Sequence, residues 1–515
     1  MHRLAVWNYI YRKGLYALIL SSVLQDLAFE RIQGDLNQEV SSVAFDSREV
    51  MPGAIFVAIS GFTVDGHRYI PAAIAQGAAV IVAEQPVELP LSAPSTLTLL
   101  QVQDTRDALA RISANFYGRP TEKLNMVGIT GTNGKTSISY FIKSILDQAG
   151  QSSGIIGTIG TLIGEELRKN KNTTPEALYL QQSFAEMAQR GIDTCVMEVS
   201  SHALSLKRVA YSSFHTGIFT NLTPDHLELH RSMEEYFEAK AMLFDMTSRC
   251  NIINADDPYG ALLIQRLRSR PAALLTYGLE QDADIYASNI SYAIDATRFT
   301  AHTPAGSIEL EVRLPGSIYV LNSLAALAWA YASGIPLETA KAGIQAVEGI
   351  KGRMEVVYRD DHNTVIVDFA HTEDSLEKVL STLRPYAKSR IILVFGVYAA
   401  PGKLGLDKRR AMGRVAAQHA DFSVITSDNP KDQDPDAIIA DIAAAMQEHH
   451  GSFKGIVDRK EAIEYALALA EKDDIVLITG KGHETSQIIG TTEIPFHEAQ
   501  IVNDFKKRQL LNHGQ

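Results

Sequence analysis

Apolar positions along the chain fall into short β-branched runs separated by stretches of helical spacing, and the order of the two changes along its length. In residues 1 to about 122 the runs "VAFDSREV", "GAIFVAI" and "GAAVIVAE" are broken by Gly and Pro and by one helical stretch, "YIPAAIAQG". This pattern predicts a small α/β domain. Ahead of it, "GLYALILSSVLQDLAF" predicts an amphipathic helix, with a signal peptide as the lesser alternative: Ser21, Ser22, Gln25 and Asp26 interrupt it after about ten apolar residues, short of the ~20 a membrane span needs, and no small-residue cleavage site follows. "YGRPTEKLN", with Gly118 and Pro120, reads as a linker. From Met126 onward "NMVGIT", "TSISYFIKSILDQAG", "TCVMEVS", "TGIFTNL" and "CNIINADD" alternate strand and helix character, which predicts βαβ units around a parallel sheet. From about Gly352 the pattern returns in "TVIVDFA", "RIILVFG", "FSVITSD" and "DIVLITG", each followed by a stretch read as helix. Asp368, Asp428 and Gly480 close these runs, on the ligand side of a parallel sheet.

Length sharpens this division. A chain of 515 residues implies roughly three domains at ~150 residues each, and the expected boundaries are 1–122, 123–350 and 351–515. Hydrophobic residues at 46% and charged residues at 21% are those of a folded globular protein. The net charge of −12, from 60 acidic against 48 basic side chains, comes without a Lys/Arg block, which argues against a nucleic-acid partner. An acidic surface also repels anions at long range, so a phosphate-bearing ligand must be held by locally placed cations and backbone N–H groups. Cys195 and Cys250 cannot build a disulfide framework, and a reducing compartment, the cytoplasm, is expected, with no membrane insertion.

"MVGITGTNGKTSISYF" supplies such a phosphate cradle. A strand, the turn Gly131-Thr132-Asn133-Gly134 and a helix opening on Lys135-Thr136 would point backbone N–H groups at phosphate oxygens. Lys135 would neutralise phosphate charge and the Thr136 hydroxyl would reach Mg²⁺. Strict Walker spacing requires a glycine at Ile129, whereas Gly128 and Gly131 stand six and three residues before Gly134, so the loop is a variant. Farther on, Glu198 ends an otherwise apolar strand, where its carboxylate needs a cation, a metal or a nearby Lys or Arg. Lys240 follows Tyr236 by four residues on a helix with an apolar face of Phe237, Ala241 and Phe244. On pattern alone it would be one more solvated lysine.

Gly128-x-x-Gly131-Thr-Asn-Gly-Lys-Thr136 resembles the phosphate loop of the Mur ligases and of their relatives the folylpolyglutamate synthetases, which join a carboxylate to an amine using ATP. "MEVSSHALSLKR", "TNLTPDHLELH", "YFEAKAMLF", "NADDP", "LPGSIYVLNSLAA", "GRMEVV" and "DFAHTEDSLEKVL" resemble the later blocks of that family, in family order. The resemblance implies a three-domain α/β architecture: a UDP-binding domain, a central P-loop parallel-sheet ATPase domain and a Rossmann-like C-terminal domain. It implies a Mg²⁺ site made of Thr136, Glu198, His226 and Lys240 as a carbamate. Asn322, Arg353 and Asp368 would join Gly131–Thr136 in holding ATP, and Lys135, His226, Lys240 and His371 would serve catalysis.

The first domain points to the MurE type within the family. "DSR" and "DGH" would meet a uridine nucleotide through Asp46, Ser47, Arg48, Asp65, Gly66 and His67, a domain that folylpolyglutamate synthetases lack. Asn172, Thr173 and Thr174 of "NTTPE", with Ser200 and Arg208, would grip a muramoyl dipeptide. "SDNPKDQDP" and "GKGHETSQ" would select an incoming amino acid through Asp428, Asn429, Lys431, Gly480 and Glu484. The implied reaction forms an acyl phosphate on UDP-MurNAc-L-Ala-D-Glu, with ATP and Mg²⁺, and couples it to meso-diaminopimelate or L-lysine. The enzyme would act as a monomer.

Three departures bear on specificity. "FGVYAAPGKLGLDKRRAMG" lacks the family's Gly-Gly-Asp-Arg run, with about three residues added. Lys431 stands where diaminopimelate-selecting enzymes carry Arg, a point charge for a bidentate fork. Glu373 replaces the usual Pro, and "FHEAQ" replaces a more acidic stretch. Two further readings follow: a paralogue that adds a nonstandard amino acid, and, from another class, a nucleotide-binding regulatory protein without turnover. The intact set Glu198, His226 and Lys240 argues against the second, since binding alone does not require a metal pair.

Overall fold

Strict alternation builds the N-terminal sheet. In Ala54–Val57 and Val80–Ala83 every residue is buried, with Ile55, Val57, Val80 and Val82 in one apolar cluster and Ala54, Phe56, Ile81 and Ala83 in another. A strand buried on both faces reads as a continuous apolar run and belongs in a parallel sheet. Five strands lie in the order Glu30–Gln33, Thr98–Gln101, Val80–Ala83, Ala54–Val57 and Ser42–Ala44, all parallel except the edge strand Glu30–Gln33. The helix Ile70–Ala75 covers one face and Thr105–Phe116 the other. Each fully buried Val or Ile here contributes ~1.5–3 kcal/mol.

The computed structural model describes residues 17–513 apart from 62–63, 226, 294–295 and 401. The chain forms two compact units: one takes in the chain up to Thr130 with Gln151–Gly217 and Ala239–Cys250, the other Gly131–Gly150, Ile218–Glu238 and Asn251 to the C-terminus. Besides the N-terminal sheet, the first unit contains parallel strands Ser153–Ile156, Thr194–Glu198 and Asn125–Thr130, extended by the antiparallel hairpin Thr161–Ile163/Glu166–Arg168.

In the second unit Ala273–Gly278, Ile285–Tyr292, Thr297–Thr303 and Gly306–Val312 run side by side. A six-stranded sheet follows, ordered Glu355–Arg359, Asn363–Asp368, Asp474–Thr479, Ile391–Phe395, Phe422–Ile425 and Phe453–Gly455, antiparallel only at its first pair. Val365, Val367, Val394, Val476 and Ile478 pack beneath the helix Arg459–Leu469.

Three expectations change. The amphipathic helix expected from Gly14 is, in its described part, a two-residue strand and the single turn Leu20–Val23. Leu18 pairs with Val40, and Leu20 N–H and Ser21 N–H bond to Gln38 O and Leu36 O, so tertiary pairing overrides propensity; residues 14–16 lie outside the described residues. The expected linker is ordered: Pro120 and Thr121 are buried in the 3-10 turn Pro120–Lys123, and Thr121 accepts from Ser213 N–H. The strand Asp474–Thr479 is followed by a hairpin, Ser486–Ile489/Thr492–Pro495, before the last helix, because Gly490 at φ +59 turns a β-branched stretch back on itself. Among the described residues no helix is long and apolar enough to cross a membrane.

Candidate functional site

In the first unit the two turns expected to meet a nucleotide are held by their own acids. Asp46 accepts from Arg48 N–H at 3.0 Å, and Arg48 forks onto its carboxylate, which holds that carboxyl below its ordinary range. Asp65 accepts from His67 N–H at 3.0 Å and faces His67 Nδ1 at 2.7 Å. Because Glu84 N–H donates to His67 Nε2 at 3.1 Å, the proton sits on Nδ1, and the ring braces the loop from both nitrogens. A Cβ on Gly66 would meet Ile59 O at 2.6 Å, so the backbone passes where only glycine fits. Ser47, Arg48 and Gly66 line a cavity of about 530 Å³. A second cavity, of about 830 Å³, is lined by Asn172, Lys171, Arg168 and Tyr179, and Phe45, Asp46 and Glu176 border both.

Around the second cavity the expected dipeptide residues divide. Asn172 lines it. Thr174 is fully buried, donates to Glu198 O at 2.8 Å and accepts from Ser200 N–H at 3.0 Å. Arg208 donates to Thr174 O at 3.1 Å and pairs with Glu176 at 2.8 Å. These residues hold the loop in place. Thr173 Oγ1 lies 3.2 Å from Thr158 Oγ1, and Thr158 gives its N–H and hydroxyl to the two oxygens of Glu198, each at 2.9 Å. A Cβ on Gly157 would come within 2.3 Å of Glu198 Oε1. Lys240, on the helix Met233–Asp245, is 2% exposed beside buried Tyr236, Leu243 and Phe244, which corrects the solvated-lysine reading.

In the second unit the helix Lys135–Gln148 opens with no side-chain cap, and a helix N-terminus points its first-turn N–H groups outward, the geometry that suits an anion. Gly131 at φ +143 and Gly134 at φ +94 set the loop's course, and a Cβ at either would meet Thr220 Oγ1 at 1.8 Å or Asn322 Oδ1 at 2.5 Å. Lys135 Nζ donates to Gly131 O and Thr132 O at 2.8 and 2.9 Å. Asn133 is held through its backbone by Thr220 and Asn221 and donates from Nδ2 to Asp374 at 2.9 Å. Thr132 donates to Thr223 O at 3.2 Å. Asn322 is 4% exposed, and its Nδ2 has no hydrogen-bond partner among the described residues, an orphan donor that a nucleotide would satisfy. Thr136 accepts from the Arg353 guanidinium at 3.2 Å. His226 lies outside the described residues. Among the described residues no three His, Cys, Asp or Glu side chains gather around a metal-sized space.

The rest of the second unit brings the remaining residues to strand ends. Arg353 lies 4.6 Å over the Phe369 ring, which His371 and His483 approach at 4.5 and 4.8 Å. His371 Nδ1 donates to Phe369 O at 2.8 Å. Asp368 is buried and accepts from Met354 N–H and Ala370 N–H at 2.7 Å each; burial pushes its pKa up while Arg353 pulls the other way. Asp428 is buried beneath Gly480, where a Cβ would fall 2.6 Å from its Oδ2. Lys431 is exposed at φ +50, its backbone tied to Ile488 O and Gly490 N–H. Asn429 and Glu484 converge on Lys481, a residue that sequence reasoning missed; its only signal was its place between Gly480 and Gly482. The Arg459–Glu498 pair behind them was missed too, since nothing local in the sequence joins the two.

Comparison with known proteins gives three family matches: "Mur ligase family, catalytic domain" at residues 39–117, "Mur ligase middle domain" at 129–330 and "Mur ligase, glutamate ligase domain" at 352–482. A protein of Alkaliphilus metalliredigens (strain QYMF) named UDP-N-acetylmuramoyl-L-alanyl-D-glutamate--2,6-diaminopimelate ligase is 41% identical over 96% of this chain and 98% of its own length. One of the same name from Bacillus licheniformis is 43% identical over 93% and 96%. A solved structure with that ligase name superposes with a TM-score of 0.66 at 30% identity, covering 96% of this chain and 99% of the other.

Proposed function

The chain belongs to the Mur ligase family of ATP-dependent ligases, and we propose that it couples UDP-MurNAc-L-Ala-D-Glu to a third amino acid, meso-diaminopimelate, in the cytoplasmic synthesis of peptidoglycan precursor. The observation that carries this reading is the end-to-end match at 41% identity to a diaminopimelate ligase. The two cavities that share Phe45, Asp46 and Glu176 support a uridine nucleotide with its peptide alongside. The family matches support domain limits near 122 and 350, and we propose that the enzyme works as a monomer.

The proposed chemistry begins when the D-glutamyl γ-carboxylate attacks the ATP γ-phosphate. Gly131–Gly134 and the uncapped helix present N–H groups to the phosphates, Lys135 swings from its loop carbonyls to neutralise charge, and Asn322 spends its orphan donor on the nucleotide. Arg353 releases the Thr136 hydroxyl to the phosphate side. By the family resemblance Thr136, Glu198, His226 and Lys240 as a carbamate would be the hard ligands for Mg²⁺, and Thr158 already orients Glu198 within its own unit. Bound there, Mg²⁺ supplies charge neutralisation at the phosphoryl oxygens. The amino acid's amine then attacks the acyl phosphate, phosphate departs, and an amide is left; exclusion of water protects the intermediate meanwhile.

A second reading, a relative that adds a different amino acid, is favoured by Lys431 and by the altered loop that carries Tyr398. One experiment separates them: phosphate release from ATP with UDP-MurNAc-L-Ala-D-Glu, comparing meso-diaminopimelate, L-lysine, L-ornithine and no amino acid. Release that depends on diaminopimelate is expected. Release with L-lysine or L-ornithine alone supports the second reading, and no release with any of them refutes the acceptor assignment.

A further inference from the structure

The amino-acid side of the second unit holds a buried cation that the proposed chemistry leaves without a role. Lys481 follows the strand Asp474–Thr479 and is 0% exposed. Its Nζ donates to Asn429 Oδ1 at 3.1 Å and to Glu484 Oε2 at 2.6 Å. Asn429 lies in the loop that follows another strand, Phe422–Ile425, whereas Glu484 closes the local turn by donating its N–H to Lys481 O at 2.9 Å.

The ammonium decides which way the Asn429 amide faces. Ile488 N–H also donates to Oδ1, at 2.9 Å, so two donors meet one amide atom and identify it as the oxygen. Nδ2 is thereby turned toward Glu484, 3.4 Å from Oε2. Glu484 keeps 34% of its side chain exposed, so its carboxylate runs from the buried ammonium to the open side. Isolated burial of an ammonium is costly, and an apolar side chain of equal volume is commonly as stable or more so. Stability therefore does not explain a lysine here, whereas orientation of its two partners does.

We propose that Lys481 is a positioning residue for the incoming amino acid: it fixes Asn429 with its N–H groups presented and Glu484 as an oriented anion, so that a donor and an acceptor stand together for the carboxylate and ammonium of a zwitterion. The inference rests on the ligase reading above. Its test is steady-state phosphate release by the full chain with ATP and UDP-MurNAc-L-Ala-D-Glu, varying whichever amino acid the wild type uses. In Lys481→Met the KM for the amino acid is expected to rise about tenfold or more, the worth of a charge-assisted hydrogen bond, while kcat and the other two KM values shift by less than about twofold. In a Glu484→Gln background the same substitution should add less than about threefold, because its partner is already altered. An unchanged amino-acid KM, or fully additive effects, overturns the inference. Lys481→Gln, which keeps a donor and loses the charge, carries the same thresholds if Lys481→Met does not accumulate as folded protein. A wild type that releases no phosphate with any amino acid overturns the ligase reading beneath it; an active wild type with an indifferent Lys481 overturns this inference alone.

Discussion

Arg459→Met removes the one cation from a buried ion pair and should cost the chain about 3–5 kcal/mol of stability. Arg459 and Glu498 are 0% and 1% exposed in their side chains. The guanidinium donates to Glu498 Oε1 from Nε at 2.9 Å and from a terminal nitrogen at 2.6 Å, and also to Ser427 O at 3.2 Å and Thr479 O at 2.7 Å. Those carbonyls lie just beyond the strand Phe422–Ile425 and at the end of Asp474–Thr479, so one side chain ties together the starts of the two loops that carry Asn429 and Lys481. With Met at 459, the Glu498 carboxylate and Thr479 O lose the guanidinium in the interior, and Ser427 O keeps Gln487 Nε2 at 3.5 Å. Burial already pushes Glu498 above its ordinary 4.5, with Arg459 restraining it, and loss of that restraint raises it further. A carboxyl raised in the folded state stabilises fully below its unfolded value, and that contribution is lost as pH rises through the folded one. The deficit of the variant should therefore be larger at about pH 8 than at about pH 6. Urea unfolding followed by circular dichroism at both pH values measures it, and Arg459→Met with Glu498→Leu should recover most of the loss. A deficit under about 1 kcal/mol, or one that grows toward acid, would refute the reasoning.

Three other outcomes are expected. Lys240→Ala should abolish most phosphate release and regain part of it with added short carboxylic acids that occupy the vacated ligand position; failure of both removes the carbamate role. Gly134→Ala places a Cβ 2.5 Å from Asn322 Oδ1 at φ +94, a backbone cost of about 1–2 kcal/mol, and calorimetric ATP affinity should fall by about tenfold or more. His483 is pushed down to about 3 by burial, with Arg353 and Lys351 adding to the effect. Its stabilisation is present above its usual 6.5 and fades as pH falls toward 3, so its NMR signals should not titrate near neutrality.

Legibility in the sequence followed the range of the interactions. The phosphate loop was readable because Gly131, Gly134, Lys135 and Thr136 do their work within six residues, and Glu198 because an acid closing the run Thr194–Glu198 is locally anomalous. The hairpin after Asp474–Thr479 was not, since its β-branched residues precede a turn that Gly490 alone marks. Burial of Lys240 was hidden because helical spacing gives the lysine the same phase as its buried neighbours without saying what lies opposite. Lys481 was invisible for a stronger reason: its meaning depends on Asn429, 52 residues away, and on an amide orientation that only the hydrogen bonds reveal.

The altered loop carries a final consequence. A sequence that has merely lost its Gly-Gly-Asp-Arg run would leave the added residues without internal support, yet here they are tied. Arg409, 8% exposed, donates to Ala400 O at 3.2 Å and to Asp441 at 2.9 Å. Lys408 donates to the Tyr398 hydroxyl at 2.8 Å and lies 3.7 Å from Asp225, the residue before His226. Gly405 lets the following helix approach the loop so closely that a Cβ would fall 1.9 Å from Ala400 O. The result sets the Tyr398 ring 6.4 Å from His371. A loop held by two buried or half-buried cations and a required glycine is a built feature, and it stands beside a histidine that the family resemblance assigns to catalysis. If phosphate release proves to depend on an amino acid other than diaminopimelate, substitutions at Tyr398 and Lys408 together with Lys431 are expected to shift that choice, whereas substitutions in the phosphate loop are expected to lower release with every amino acid alike.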